Sequence, residues 1–292
     1  MDYGRLIVAL ATPFRPDLEV DYDRSAELAR RLTSDGATAF VSAGTTGESP
    51  TLTREERIEL IMTLKKAVSV PIIANAGTND TRASIRNAKD AEEAGADGLL
   101  LVVPYYNKPD QGMLYDHFKA IAESVKIPSM LYNVPGRTAS SIRPETVVKL
   151  SRDVPNIRYV KEASGDLEAL TQIVRDSAPG FLAYTGDDSM TLPSLAVGAY
   201  GVVSVSGHVI GRPMKEMIDA YVAGYVAKAA QLHGRLLPLN KALFLQPNPV
   251  PLKAALKLCG FDVGSLRPPL KDASLEVVQA LKKALLDLGL LP

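Results

Sequence analysis

Short apolar runs alternate with amphipathic stretches through the first three quarters of the chain. Leu6 to Leu10 is apolar and closes on Ala11-Thr12-Pro13, as a strand and its end would. From Asp21 to Leu32 the apolar positions Ala26, Leu28, Ala29 and Leu32 fall at helical spacing. The alternation then repeats. Thr38 to Val41 reads as a strand, followed by a helix from Arg54 to Val68 led in by Thr53 as cap. Pro71 to Ala74 precedes a helix that ends at Ala94, and Gly98 to Val103 precedes one from Gly112 to Ser124. Ser129 to Tyr132 precedes a helix from Pro144 to Ser151, and the strand that begins at Ile157 precedes one from Asp166 to Ser177. Phe181 to Tyr184 and Gly201 to Val205 complete the set.

Eight strands, each followed by helix or helix-like sequence, imply parallel pairing. Eight such units imply a closed (β/α)8 TIM barrel. The strands are continuously apolar, as expected where both faces of a sheet are covered. From about Gly224 helical periodicity takes over: Val226 to Leu237, Val250 to Leu258 and Leu275 to Leu288, with Leu281, Leu285 and Leu288 as an apolar stripe. The pattern divides the chain into a barrel catalytic domain, residues 1–224, and a three-helix C-terminal extension, residues 225–292, read as packing or oligomer surface.

A length of 292 residues suits one such barrel with an extension. Lys+Arg and Asp+Glu both number 33, so net charge gives no case for nucleic acid or an anionic membrane surface. No apolar stretch approaches the ~18 residues of a membrane span. Met1-Asp2-Tyr3-Gly4-Arg5 opens no signal peptide. The lone Cys259 excludes an intramolecular disulfide. A soluble cytoplasmic protein is the expectation.

Candidate chemistry falls at strand ends. The run Ile157-Arg158-Tyr159-Val160 leads straight into Lys161. At the reference pKa of about 10.4, roughly one amine in two thousand is neutral at pH 7. An apolar site raises that fraction and so activates a lysine nucleophile. The plain alternative is a strand-flanking lysine that snorkels to solvent. Gly44-Thr45-Thr46-Gly47-Glu48 could cradle an anion on backbone N–H groups, or be an ordinary turn. Tyr132 could relay protons, or be a core tyrosine. Tyr105 and Tyr106 could be packing residues, and Arg137 could grip a carboxylate or simply face water. Their shared position on one rim favours the functional set.

Metal chemistry is not expected. His117, His208 and His233 are scattered, and Asp187-Asp188 reads as helix capping. No dinucleotide fingerprint follows the first strand, and Gly44 to Gly47 lacks a P-loop lysine. Cofactor-free carbonyl chemistry on a lysine is what remains.

Gly44-Thr45-Thr46-Gly47-Glu48-Ser49, Pro104-Tyr105-Tyr106-Asn107, Leu131 to Thr138, Val160-Lys161-Glu162-Ala163 and Gly186-Asp187-Asp188 together resemble the dihydrodipicolinate synthase family. This is the lysine-biosynthetic branch of the pyruvate-dependent class I aldolases, which include N-acetylneuraminate lyase. The resemblance covers essentially the whole chain. It implies that Lys161 forms a Schiff base with pyruvate, and that Thr45 and Thr46 hold the pyruvate carboxylate. It implies that Tyr132 shuttles protons with Thr46 and Tyr106, and that Arg137 binds the carboxylate of aspartate semialdehyde. Gly186 and Val203 match positions whose backbone lies near the lysine. A homotetramer built from two tight dimers is implied, with Tyr106 crossing the tight interface into the neighbour's site.

Arg137 separates this reading from an aldolase of a 2-keto-3-deoxy sugar acid or of N-acetylneuraminate, whose relatives typically lack it. An inactive binding or regulatory barrel is the alternative of a different class. Where lysine-inhibited relatives tend to carry histidine and glutamate, Arg54, Arg57 and Ala83 stand here, although Ser49, Asn79 and Tyr105 fit. Weak or absent feedback inhibition by lysine follows from that resemblance.

Overall fold

A computed structural model describes residues 2–291. Met1, where the reading of the N-terminus begins, and Pro292, where the helical extension ends, lie outside them. The strands are β1 (Leu6–Ala9), β2 (Ala39–Ser42), β3 (Ile72–Asn75), β4 (Gly98–Val102), β5 (Ser129–Asn133), β6 (Ile157–Glu162), β7 (Leu182–Thr185) and β8 (Gly201–Ser204). They follow one another in chain order around a closed barrel, as the alternation requires. The first helices are α1 (Tyr22–Ser34), α2 (Arg54–Ala67), α3 (Thr81–Glu93), α4 (Gln111–Glu123), α5 (Pro135–Thr138) and α6 (Pro144–Asp153). They are followed by α7 (Leu167–Asp176), α8 (Thr191–Ala196), α9 (Gly207–Val222), α10 (Val226–Ala242), α11 (Val250–Leu258) and α12 (Leu275–Asp287).

The expected elements are present, with ends mostly moved by one or two residues. Thr53 closes a capping box with Glu56 at the start of α2, and Asp166 accepts from the N–H groups of Glu168 and Ala169 at the start of α7. Two differences have clear causes. Pro135-Gly136-Arg137-Thr138, which lies between the expected strand end at Tyr132 and the expected helix start at Pro144, is one turn of helix. Proline suits the first helical position, and the Val134 carbonyl accepts from both Arg137 N and Thr138 N. The helix expected to stop at Leu237 runs on through Pro238 to Ala242. Its continuation buries Leu239, Asn240 and Ala242, and this packing outweighs the helix-breaking tendency of proline.

The chain forms two compact units. One comprises the residues up to Val70 and those from Ser204 onward. Within it β1 pairs with β2 in register Ile7↔Ala39, Val8↔Phe40 and Ala9↔Val41, every residue buried. His208 ties this unit internally. Its Nε2 accepts from Ala11 N at 3.1 Å, so the ring proton is on Nδ1 and is donated to the Val205 carbonyl at 2.8 Å. Burial pulls its pKa down to about 4, so the ring is neutral. It is a structural histidine, not a metal ligand.

The other unit runs from Pro71 to Val203. Here β4 aligns Val102 with Tyr132 of β5, and β5 aligns Tyr132 with Lys161 of β6. β6 in turn aligns Lys161 with Tyr184 of β7. Residues at equal register in parallel strands face the same side, so the pairing alone brings Tyr132 and Lys161 together. Among the described residues no helix is long and apolar enough to cross a membrane.

Candidate active site

Lys161 is the penultimate residue of β6 and is 6% exposed. Its Nζ lies 4.2 Å from the centroid of the Tyr132 ring. The end of the Lys161 side chain packs on the face of the ring, and the phenol is carried within reach of the amine's chemistry. Gly186, just past β7, supplies the room. A Cβ there would stand 2.7 Å from Lys161 Cε and 2.7 Å from Ala163 Cβ, so a larger residue would displace the lysine. Gly186 N also donates to the Glu162 carbonyl at 2.7 Å, which fixes the loop beside it. Val203 is fully buried in β8.

The neighbouring residue points the other way, by strand alternation. Glu162 is buried and accepts from Asn133 Nδ2 at 2.9 and 3.2 Å and from Ser164 N at 2.8 Å. Burial raises its pKa, against the lowering effect of Asn133 and Ser164. Asn133 Oδ1 accepts in turn from Ser141 Oγ and Ile142 N. This clasp locks the ends of β5 and β6, and therefore Tyr132 and Lys161. Sequence reasoning did not find it; a carboxylate directly after an apolar-strand lysine was the available signal.

Arg137 and Tyr106 belong to the same unit but are not brought onto the lysine. Arg137 sits exposed on α5, its guanidinium without an acceptor among the described residues. Tyr106 is 90% exposed and holds φ at +73°, a left-handed conformation that a bulky side chain adopts only at a cost. Its ring makes no hydrogen bond or ring contact among the described residues that would offset this cost.

Thr45 and Thr46 belong to the other unit, in the turn after β2. Thr46 is 2% exposed and Thr45 half-buried. Thr45 O accepts from Glu48 N, while the N–H groups of Thr45 and Thr46 have no partner among the described residues. Two adjacent unpaired N–H groups in a tight turn are what an anion cradle offers. The turn is held by contacts the sequence did not announce. Thr12 Oγ1 donates to the Gly47 carbonyl at 2.8 Å, and Asn248 Nδ2 donates to Thr46 Oγ1 at 2.8 Å. Glu48 holds φ at +57°. Its carboxylate pairs with Lys253 Nζ at 2.7 Å, both side chains at most 3% exposed, and accepts from Arg267 N at 2.9 Å.

Burial lowers the pKa of Lys253, and Glu48 raises it in opposition. At this distance the two are an ion pair. Lys253 Nζ also donates to the Ser265 carbonyl and lies 4.3 Å from the Phe14 ring centroid. A lysine inside the apolar run Val250 to Leu258 was a sequence signal that charge counting passed over. Asp187 behaves as expected for capping: its carboxylate accepts from Ser189 N and Ser189 Oγ at a short 3-10 turn. Among the described residues no group of histidine, cysteine and carboxylate side chains is placed to hold a metal ion.

The buried lysine on a phenol and the two-amide turn can respectively form an imine with a carbonyl compound and bind a carboxylate. Known proteins with this architecture carry a matching name. The model of the dihydrodipicolinate synthetase family matches residues 2–288. The 4-hydroxy-tetrahydrodipicolinate synthase of Thermosynechococcus vestitus is 52% identical over 293 aligned positions, 99% of each chain. The crystal structure of the synthase of Cyanidioschyzon merolae with lysine bound superposes with a TM-score of 0.97, at 46% identity and 99% coverage of each chain. That of the chloride-inhibited synthase of Acinetobacter baumannii complexed with pyruvate superposes with a TM-score of 0.95, at 36% identity, covering 99% of this chain and 100% of the other.

Proposed function

The chain belongs to the dihydrodipicolinate synthetase family, and we propose that it condenses pyruvate with aspartate semialdehyde through an imine on Lys161, giving 4-hydroxy-tetrahydrodipicolinate for lysine and diaminopimelate biosynthesis. The observation that carries the reading is the buried Lys161 amine against the Tyr132 ring, with Gly186 leaving it room.

The steps follow from the groups. The neutral Lys161 amine adds to the C2 ketone of pyruvate, and water leaves to give a protonated imine. The imine draws electrons from the adjacent methyl, which loses a proton to become an enamine. The enamine carbon attacks the aldehyde, whose oxygen takes a proton. The amine of the former semialdehyde then adds to the imine carbon and displaces Lys161 as the ring closes, so one water is released overall. Tyr132 handles the proton at imine formation and at the aldehyde oxygen, with Thr46 and Tyr106 extending the hydroxyl path. Thr45 and Thr46 take the pyruvate carboxylate on their N–H groups, and Gly186 and Val203 border the imine. No metal or organic cofactor is needed for this sequence.

Arg137 binds the semialdehyde carboxylate. Its unpaired, exposed guanidinium supports that role. Tyr106 works across a dimer interface in a homotetramer; its exposure and left-handed backbone support a partner that packs on it. Residues 1–224 form the catalytic barrel and 225–292 its helical extension, and the enzyme acts in the cytoplasm.

Borohydride reduction in the presence of pyruvate, followed by peptide mass mapping, tests the reading, run beside turnover of aspartate semialdehyde and of N-acetylneuraminate. A pyruvyl adduct on Lys161 with semialdehyde turnover is expected. An adduct elsewhere would sink the mechanism, and turnover of the sugar acid alone would move the protein to the sugar-acid lyases. Arg137→Ala should lower kcat/KM for the semialdehyde by roughly 10- to 150-fold, the ~1.5–3 kcal/mol of a hydrogen bond to a charged group. Pyruvate KM should hold; if it rises equally, Arg137 is not the second-substrate clamp. Submillimolar lysine should leave the initial rate unchanged. Arg57 already places its guanidinium on the Ser49 carbonyl at 2.7 Å, a positive charge that repels an incoming ammonium. Marked inhibition in that range would refute this.

A further inference from the structure

We propose that Asn133 is a positioning residue for the second substrate: its amide ties the turn that carries Arg137 to the end of the lysine strand, and so sets where the guanidinium stands relative to the imine. The proposal rests on the reading of Arg137 as the clamp on the semialdehyde carboxylate.

Asn133 is the last residue of β5, is 3% exposed, and lies level with Glu162 of β6, the residue after Lys161. The chain leaves the barrel at this point, makes the single turn of α5 and continues into α6. Arg137 lies on that excursion, within the unit from Pro71 to Val203 that also holds Lys161. The far end of the excursion returns to Asn133. Its Oδ1 accepts from Ser141 Oγ at 3.2 Å and from Ile142 N at 3.3 Å. Its Nδ2 donates to the two oxygens of Glu162 at 3.2 and 2.9 Å. A primary amide carries donors on one atom and an acceptor on the other. One side chain therefore faces a carboxylate and a pair of donors at once, which no apolar or acidic residue of this size can do.

The excursion is stiff within itself. The Val134 carbonyl accepts from Arg137 N and Thr138 N, and Ala139 N donates to the Pro135 carbonyl at 2.9 Å. Thr138 is buried, and Ala139 closes the turn at a φ of +52°. A stiff turn moves as a body, so Arg137 goes where the ends of the excursion go. Gln111 of α4 ties the far end to an outer helix, donating to the Ser141 carbonyl and accepting from Arg143 N. Asn133 ties it to the strand ends. Lys161 and Tyr132 depend on this amide less, because backbone bonds also hold them. Val103 N donates to the Tyr132 carbonyl and Ala163 N to the Asn133 carbonyl, each at 2.9 Å. Loss of the amide should thus shift Arg137 and spare the lysine. The semialdehyde carboxylate stands a fixed number of bonds from the aldehyde carbon, so a shift of about 1 Å in its clamp is costly.

The test measures kcat and KM for aspartate semialdehyde at saturating pyruvate. Beside them it measures the rate of pyruvyl-imine formation with pyruvate alone, trapped by borohydride and quantified by mass. Asn133→Ala should lower kcat/KM for the semialdehyde by roughly tenfold, mostly through KM, about what two neutral hydrogen bonds contribute. Imine formation should stay within about twofold of wild type, as for an independent site. A merely structural loss would lower both together. Combined with Arg137→Ala, Asn133→Ala should cost nothing further, since both act through one guanidinium. Asn133→Asp alone sets two carboxylates face to face and should also raise the KM. Asn133→Asp/Glu162→Gln should restore it, because the glutamine amide donates to the aspartate, which still accepts from Ser141 and Ile142.

Ser141→Ala removes one of the two bonds to Oδ1 and should raise the semialdehyde KM by roughly threefold. It decides the matter if Asn133→Ala does not fold. Imine formation slowed as much as semialdehyde turnover, losses that add to that of Arg137→Ala, or an unchanged semialdehyde KM in Asn133→Ala and Ser141→Ala would each overturn the proposal. An unchanged semialdehyde KM in Arg137→Ala would instead remove the clamp reading and the proposal with it. A loss there with none at Asn133 strikes the proposal alone.

Discussion

Lys161→Met leaves a folded protein with no pyruvyl adduct and with turnover lowered by on the order of 10⁴-fold or more, the scale seen when a covalent nucleophile is lost. Methionine suits the site: it is unbranched, close to lysine in length, and enters surroundings that leave Lys161 only 6% exposed. What it gives up is the contact with the Tyr132 ring at 4.2 Å. Such a contact contributes about 0.5–2 kcal/mol, so the melting temperature should move by a few degrees at most. Lys161→Arg separates charge from nucleophilicity. It keeps a cation over the phenol, but a guanidinium does not become neutral at working pH, so it should be equally inactive. Mass mapping after borohydride treatment and steady-state assays check both variants. Substantial turnover in either would remove Lys161 from the mechanism.

The second large effect is on stability. Lys253→Met leaves the Glu48 carboxylate at the bottom of the Thr45-Thr46 turn without its counter-ion, where both side chains are almost fully shielded. Breaking one side of a buried pair costs about 3–5 kcal/mol, because the remaining charge is uncompensated. For a chain of this length the melting temperature should fall by on the order of 10 °C. Lys253→Met/Glu48→Gln should recover much of that loss, since two neutral groups leave no orphan charge. The single variant should also raise the KM for pyruvate, because Glu48 holds its left-handed turn only while its carboxylate is tied to Lys253 and the Arg267 N–H. Calorimetry or thermal melting of the single and double variants decides the matter. Equal losses in the two would mean that the pair does not hold the turn.

These two experiments probe features of different legibility. Lys161 could be read from the chain, since a charged residue at the end of an apolar strand conflicts with burial unless it has a task. Lys253 has a similar local signature inside the apolar run of α11, but its partner is 205 positions away, and no periodicity links the two. The same holds for Asn248 and Thr46. The clasp between Glu162 and Asn133 depends on the register of β5 against β6, which includes a bulge between Ser129 and Met130. An irregularity of one residue is invisible in an apolar pattern.

By itself the sequence determined the alternation of strands and helices, the closed eight-stranded barrel, and the residues that fall at strand ends. Hydrophobic periodicity encodes which face of each element is buried, and strand-helix alternation encodes parallel pairing. Only the tertiary structure decided that Tyr132 lies against the Lys161 amine, that Gly186 makes room for it, and that the Thr45-Thr46 turn is fastened from the C-terminal helices. Those facts depend on contacts between residues distant in the chain, fixed by register and side-chain packing. Local sequence constrains neither directly.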